Sequence, residues 1–225
     1  MKTMIRKQQK TCYIDSVLSP ARARFFSQLT WTKKTGMYLA GGTALALQIG
    51  HRTSVDFDFY RQRHFAKGTL SKLFYSYMAE RWQIEITRDI KDNFDLLAKP
   101  DIHLSCFYYE YPLVASPIPM QGVLVASLQD IAAMKLIAIA QRGRHRDFVD
   151  IYYLLHIFSL DEMIRFGLEK YPMYNHFFFL RGLLYFNDAE EDDDIDRVKL
   201  FDRAVTWKKI KKTITEAVRS HQLGM

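Results

Sequence analysis

LAGGTALALQIGHRTSVDFDFY, residues 39 to 60, opens with an apolar strand end, turns on two glycines and closes on a run that alternates acid and aromatic. "MYLAGG" reads as a short strand entering a glycine turn. "TALALQIGH" reads as a helix capped by Thr43 and ended by Gly50. "SVDFDFY" reads as the next strand, by its alternation and its β-branched and aromatic content. Strand side chains alternate faces, so Asp56 and Asp58 point the same way. Two anions so close repel each other. A divalent cation, which takes oxygen ligands from one or two carboxylates and substrate phosphates, is one way to hold them together; solvation on an edge strand is the other.

The residues ahead of the pair bear on that choice. Gly41-Gly42 lets backbone approach a phosphate closely and aims helix N–H groups at it, and Thr43 adds a hydroxyl. A plain strand-to-helix turn uses the same residues. Arg52 and Ser54 stand just before the acids. The Arg52 guanidinium suits either a forked grip on phosphate or an ion pair with Asp56 or Asp58.

Outward from this stretch, residues 15 to 30 have helical spacing, with Val17, Leu18, Ala21, Phe25 and Leu29 apolar. "AKGTLSKLFYSYMAERW" reads as a helix. "QIEITRD", "FDLLAKP" and "IHLSCFYYEY" read as three strands, the first two forming a hairpin around Lys91-Asp92-Asn93. Pro112, Pro117 and Pro119 are expected to interrupt regular structure. From Ser127 onward the pattern is helical: "SLQDIAAMKLIAIAQRG" with Ser127 and Asp130 at its start, then "RDFVDIYYLLHIF", "LDEMIRFGLEKY", a Phe- and Leu-rich stretch and a basic helix near "WKKIKKTITEAVRS". The expected architecture is α+β: a mixed-sheet core with an N-terminal helix over 1–125, and a helical region over 126–225.

The chain has 225 residues, 48% hydrophobic and 25% charged, the balance of a soluble globular protein. Its net charge of +7 and pI of about 9.3 favour a polyanionic partner such as nucleic acid or nucleotide. No apolar run approaches the roughly 20 residues that cross a membrane, and the basic start lacks the apolar stretch of a signal peptide. Cys12 and Cys106 form no motif, and a cytoplasmic location is expected. The seven histidines show no metal-ligand spacing, and His51 beside Arg52 reads as structural. The acidic run 188 to 196 reads as a solvated loop, as a cover for a basic cleft or as a contact for an antitoxin.

Downstream, Lys135 lies on a partly apolar helical stripe with Ile131 and Ala138, while Asp147 and Asp150 share a face of the next helix. Residue types alone allow a snorkelling surface lysine and two acids favouring a helix N-terminus.

The glycine pair, the helix and the acid–apolar–acid strand together resemble the DNA polymerase β-type nucleotidyltransferase superfamily, here Gly41 and Gly42 followed after thirteen residues by Asp56 and Asp58. The finer pattern, "GGTALAL…HRTSVDFDFY" followed by "SLQDIAAMKLIAIAQRGRHRDFVDIYYLL", resembles the AbiEii/AbiGii toxin family over roughly residues 35 to 158. That resemblance implies transfer of a nucleoside monophosphate from a nucleoside triphosphate (NTP) to an RNA acceptor such as the tRNA 3′ end. It further implies a phage-defence or toxin–antitoxin setting with a cognate antitoxin, and Mg²⁺ or Mn²⁺ held by Asp56 and Asp58. It implies a cradle for the triphosphate at Gly41, Gly42 and Thr43, with Arg52 and Ser54 beside it. Lys135 and either Asp147 or Asp150 complete the implied site, and Arg142, Arg144 and Arg146 around the turn read either as contacts to phosphate or RNA or as ordinary surface charge. The superfamily's third carboxylate has no obvious counterpart: "IHLSCFYYEY" places His103 and Ser105 inward, leaving Glu85 and Glu110 as substitutes by position. A catalytically degenerate protein of this fold that binds RNA or a protein partner is the alternative.

Overall fold

The computed structural model describes residues 13–192 and 199–223; Cys12 and residues 193–196 of the acidic run lie outside them. Seven strands form one mixed sheet: β1 (Met37–Ala40), β2 (Asp56–Arg61), β3 (Ile84–Ile90), β4 (Asn93–Ala98), β5 (Ile102–Tyr108), β6 (Ile118–Met120) and β7 (Val123–Val125). Their order is β3-β4-β5-β2-β1-β7-β6. β2 runs antiparallel to β1 and parallel to β5.

The two faces of the sheet differ because the strands alternate. Phe57 and Phe59 of β2, Phe94 and Leu96 of β4, and Leu104 and Cys106 of β5 are all buried on one face. There they meet the N-terminal helices and the helix after β2, as in the Phe25–Phe57 and Phe74–Phe94 ring contacts. The opposite face carries Asp56, Asp58, Asp95, His103 and Ser105, each exposed or half-buried.

The single helix expected over 15–30 is broken. α1 (Ile14–Val17) and α2 (Pro20–Ser27) are followed by a 3₁₀ stretch, Leu29–Thr35. Pro20 at the first helical position forces Ser19 into an extended conformation, where its side chain caps α2 instead of continuing α1. The hairpin at Lys91-Asp92-Asn93 is present, with Asp92 at φ 65°. Pro112 and Pro117 lie in the irregular stretch 109–117 between β5 and β6, as expected, but Pro119 does not interrupt regular structure. Pro119 lies in β6, an edge strand where a missing N–H is tolerated, and Gln121-Gly122 turn the chain into β7 with φ of 45° and 85°.

The helices that follow are α3 (Gly41–Ile49) and α4 (Thr69–Met78), then α5 (Leu128–Arg142), α6 (His145–Leu154), α7 (Leu160–Lys170), α8 (His176–Leu184), α9 (Asn187–Glu190) and α10 (Trp207–Leu223). Ser127 caps α5 through the Asp130 N–H, as its sequence predicts. α5 is the hub of the helical region, with Ile131, Ala132, Ala133, Leu136 and Ile139 buried. Beneath it, Lys170 and Asp130 form a fully buried ion pair at 2.8 Å. Asp130 also accepts from the Val114 and Ala115 N–H groups, and Lys170 donates to the Pro112 carbonyl. That pair ties the loop after β5 to α5 and α7. Close to β2, the chain at 199–201 runs against 51–53, with Thr53 N–H donating to the Lys199 carbonyl and Phe201 N–H to that of His51.

Among the described residues, no helix is long and apolar enough to cross a membrane.

Candidate active site

The glycine turn is wedged between two side chains. Gly41 adopts φ 68°, a conformation a side chain resists, and a Cβ there would stand 3.3 Å from Asp58 Oδ2. A Cβ at Gly42 would fall 2.2 Å from Arg52 Nη2. The backbone can therefore lie against both only because both residues are glycine. Thr43 does not cap the helix as expected: α3 already begins at Gly41 with Ala40 at the cap position, and the buried Thr43 hydroxyl donates to the Asp56 carbonyl and meets Ser54 Oγ at 2.7 Å. These two hydroxyls fasten the start of α3 to the strand that carries the acids.

Asp56 and Asp58 face a cleft of about 290 Å³ between the polar face of the sheet and α5. Gly41, Gly42, Thr43, Arg52, Ser54, Lys135 and Asp147 line the same cleft, so the structure brings nearly all of the expected residues together. Burial, and then the charge of Asp56, push the Asp58 carboxyl up from 3.8 to about 6, against the pull of Arg146 and Lys135. A carboxyl so raised marks negative charge that the protein leaves uncompensated. Among the described residues, no group of three or more His, Cys, Asp or Glu converges as a metal cage. The pair nevertheless fits Mg²⁺, an ion commonly bound through one or two carboxylates with substrate phosphates completing its shell.

Behind the cleft lies a charged network joining three distant parts of the chain. Lys135 Nζ stands 2.6 Å from Asp147 Oδ1 and 2.7 Å from Asp150 Oδ2. Arg52 forks onto Asp150, with Nε at 2.7 Å from Oδ1 and Nη2 at 2.9 Å from Oδ2. His51 Nε2 adds a contact of 2.7 Å to the same carboxylate. Arg52, 1% exposed, thus forks onto Asp150 while also lining the cleft beneath Gly42. Asp150 is wholly buried and sits behind the cleft, whereas Asp147 opens onto it. Burial would raise the Asp150 carboxyl, but Arg52 and Lys135 hold it well below its ordinary range. Burial would likewise lower the Lys135 amine, and Asp147 with Asp150 outweighs it, so the ammonium persists. His51 is lowered by burial, which prevails over Asp150.

Arg142, Arg144 and Arg146 line the cleft together with Gln141. The substitutes for a third carboxylate do not reach it. Glu85 lies on β3, three strands away in the sheet order, and Glu110 is exposed beyond β5. The acid that shares the row of Asp58 is Asp95. Register places Ser105 beside Asp58, Asp95 beside Ser105 and Arg88 beside Asp95. Asp95 Oδ2 pairs with Arg88 Nε at 3.1 Å, while its buried Oδ1 has no hydrogen-bond partner. Its signal was present in "NFDLLA", where an acid sits between two apolar neighbours as in β2, but only strand register reveals which row it joins.

A glycine turn at the start of a helix, paired acids on the adjoining strand and a lysine held across the cleft define the architecture of a nucleotidyltransferase. The model of the nucleotidyl transferase AbiEii toxin family, type IV toxin–antitoxin system, matches residues 26–223, and the chain belongs to that family. An uncharacterized protein of Aquifex aeolicus is 36% identical over 167 residues, covering 71% of this chain and 79% of that protein. Two solved structures share the fold. A Helicobacter pylori protein described as a nucleotidyltransferase candidate is 21% identical, with a TM-score of 0.61 over 92% of this chain and 95% of its own. MenT4, a nucleotidyltransferase toxin of Mycobacterium tuberculosis, is 14% identical, with a TM-score of 0.60 over 97% of this chain and 88% of its own.

Proposed function

We propose that this chain transfers a nucleoside monophosphate from an NTP to a hydroxyl of an RNA acceptor, such as the 3′ end of tRNA, as the toxin of a toxin–antitoxin pair. One observation carries the reading: Asp56 and Asp58 face the Gly41-Gly42 turn and Lys135 within a single cleft. The net charge of +7 and the arginines at 142, 144 and 146 support a polyanionic acceptor.

The N–H groups at the start of α3 receive phosphate oxygens, and Gly41 and Gly42 let them approach. Lys135, kept charged by Asp147 and Asp150, stabilises the negative charge that builds on the phosphate. Arg52 acts at one remove, holding Asp150 and packing beneath Gly42 so that turn and lysine keep their spacing. Asp56 and Asp58 are the residues that would hold Mg²⁺ or Mn²⁺. When bound, such an ion offsets charge on the phosphate oxygens. In the transfer, the acceptor hydroxyl oxygen bonds to the α-phosphorus, the bond from that phosphorus to the bridging oxygen breaks, and pyrophosphate leaves. The hydroxyl proton is released to water.

The test is incubation with each α-labelled NTP, Mg²⁺ and total RNA. Label should enter RNA with wild type and not with Asp58→Ala. Label entering protein or a small molecule instead would move the acceptor to that class. Among the described residues no third acid joins Asp56 and Asp58 in a metal cage, which favours a second reading, a non-catalytic RNA binder. RNA retention with no transfer from any NTP would establish it.

A further inference from the structure

We infer that the open sheet face over β5, β4 and β3 seats the terminal ribose of the acceptor, with Asp95 accepting a hydrogen bond from the hydroxyl that does not attack. The inference rests on the nucleotidyl-transfer reading above and extends it to the acceptor.

Strand order divides the site. In-line displacement puts the attacking and leaving oxygens on opposite sides of phosphorus. On one side, Asp58 neighbours Ala40 of β1, and directly after Ala40 come Gly41, Gly42 and the N-terminus of α3. The phosphate cradle, and therefore the leaving pyrophosphate, belongs to that side. On its other side Asp58 neighbours Ser105 of β5. The acceptor hydroxyl must then arrive over β5.

A second groove occupies that position. Thr87, Arg88, Asp95, His103 and Ser105 line it, and Arg142 is common to it and to the cleft above Asp58. The two hollows are thus joined at one residue. The chemistry of the groove differs from that of the cleft. Arg88 is engaged by Asp95, so the floor offers hydroxyls, an imidazole and a carboxylate, and the positive charge of Arg142 lies where the groove meets the cleft. Such a floor suits a neutral, hydroxyl-bearing group better than a phosphate.

The unpartnered Asp95 Oδ1 specifies the group further. A buried acceptor without a donor is uncommon, and a carboxylate oxygen can only accept. A ribose presents two adjacent hydroxyls. One attacks; the other is free to donate to Asp95, with Ser105 between Asp95 and Asp58. Because a 2′-hydroxyl distinguishes RNA from DNA, Asp95 becomes a selector for a ribose end.

The test compares RNA oligonucleotides of one sequence that end in ribose or in 2′-deoxyribose, with one labelled NTP and Mg²⁺. Wild type should favour the ribose end. Asp95→Ala should erase the preference by raising KM for the ribose end about tenfold or more, the effect of losing a hydrogen bond to a charged group, with KM for NTP unchanged. Asp95→Asn, which keeps shape and one acceptor oxygen, should fall between. A preserved preference in Asp95→Ala, or an effect on KM for NTP alone, overturns the inference, and melting curves identify a variant that fails to fold. A turnover-independent arm replaces the exposed His103 with the photocrosslinker p-benzoylphenylalanine and adds end-labelled RNA. Crosslinks at the terminal nucleotide support the groove even if no label is transferred, in which case only the transfer reading falls. Transfer to RNA with crosslinks elsewhere in the oligonucleotide, or none, overturns the groove alone. Failure of wild type to bind RNA overturns both.

Discussion

Replacing Asp58 by asparagine should make the protein more stable while removing its activity. Asp58 sits at about 6 rather than 3.8 because burial and the neighbouring Asp56 disfavour its anion. That displacement corresponds to about 3 kcal/mol at neutral pH. Asp58 keeps partial solvent access, which screens the interaction, so about 1–2 kcal/mol is the expected gain. The sign follows from linkage. A carboxyl raised in the folded state favours folding of the protonated form, so its cost is full above pH 6, and wild type recovers the difference as pH falls toward 3.8. The assay is urea unfolding of wild type and Asp58→Asn in chelator from pH 4.5 to 8. The variant should lead at pH 7 and the gap should close at low pH. A variant less stable than wild type at pH 7, or a gap that does not change with pH, would refute the reasoning.

The buried network has the opposite sign. Asp150→Ala strips Arg52, Lys135 and His51 of their shared partner, and urea unfolding should show a loss of about 3–5 kcal/mol. Gly42→Ala drives a methyl into Arg52, and labelled transfer should fall by about tenfold or more while far-UV circular dichroism stays native. Lys170→Ala leaves Asp130 buried without its cation, so the melting temperature should drop, by about 3 kcal/mol in stability, with KM for NTP unaltered in the cold.

What could be read from the chain divides along sequence distance. The Asp56–Asp58 pair and the Ser127 cap are local patterns in which a few neighbouring residues determine the geometry, and each stands where its pattern put it, whereas the helix expected to start at Thr43 takes in Gly41 and Gly42 as its first turn. The break at Ser19-Pro20 was equally local, but the apolar spacing of 15–30 masked it. β6 and β7 have three residues each, too few for alternation to register, and their pairing across Gln121-Gly122 outweighs the presence of Pro119. Sequence offered Arg52 either a phosphate or a nearby acid as partner, because it shows only neighbours. Its partner lies 98 residues away, and only the docking of α6 supplies it. Asp95 was hidden for the same reason, since its row depends on two successive strand registers.

The fork from Arg52 to Asp150 carries a consequence for how the molecule comes to exist on the ribosome. A growing chain that has emerged only through β2 already displays its acids and glycines, yet lacks the lysine and the carboxylate that brace them. The pocket gains its shape only once the helix bearing residue 150 has been made and has docked. Copies that end before residue 150 therefore lack the carboxylate that braces Lys135 and Arg52.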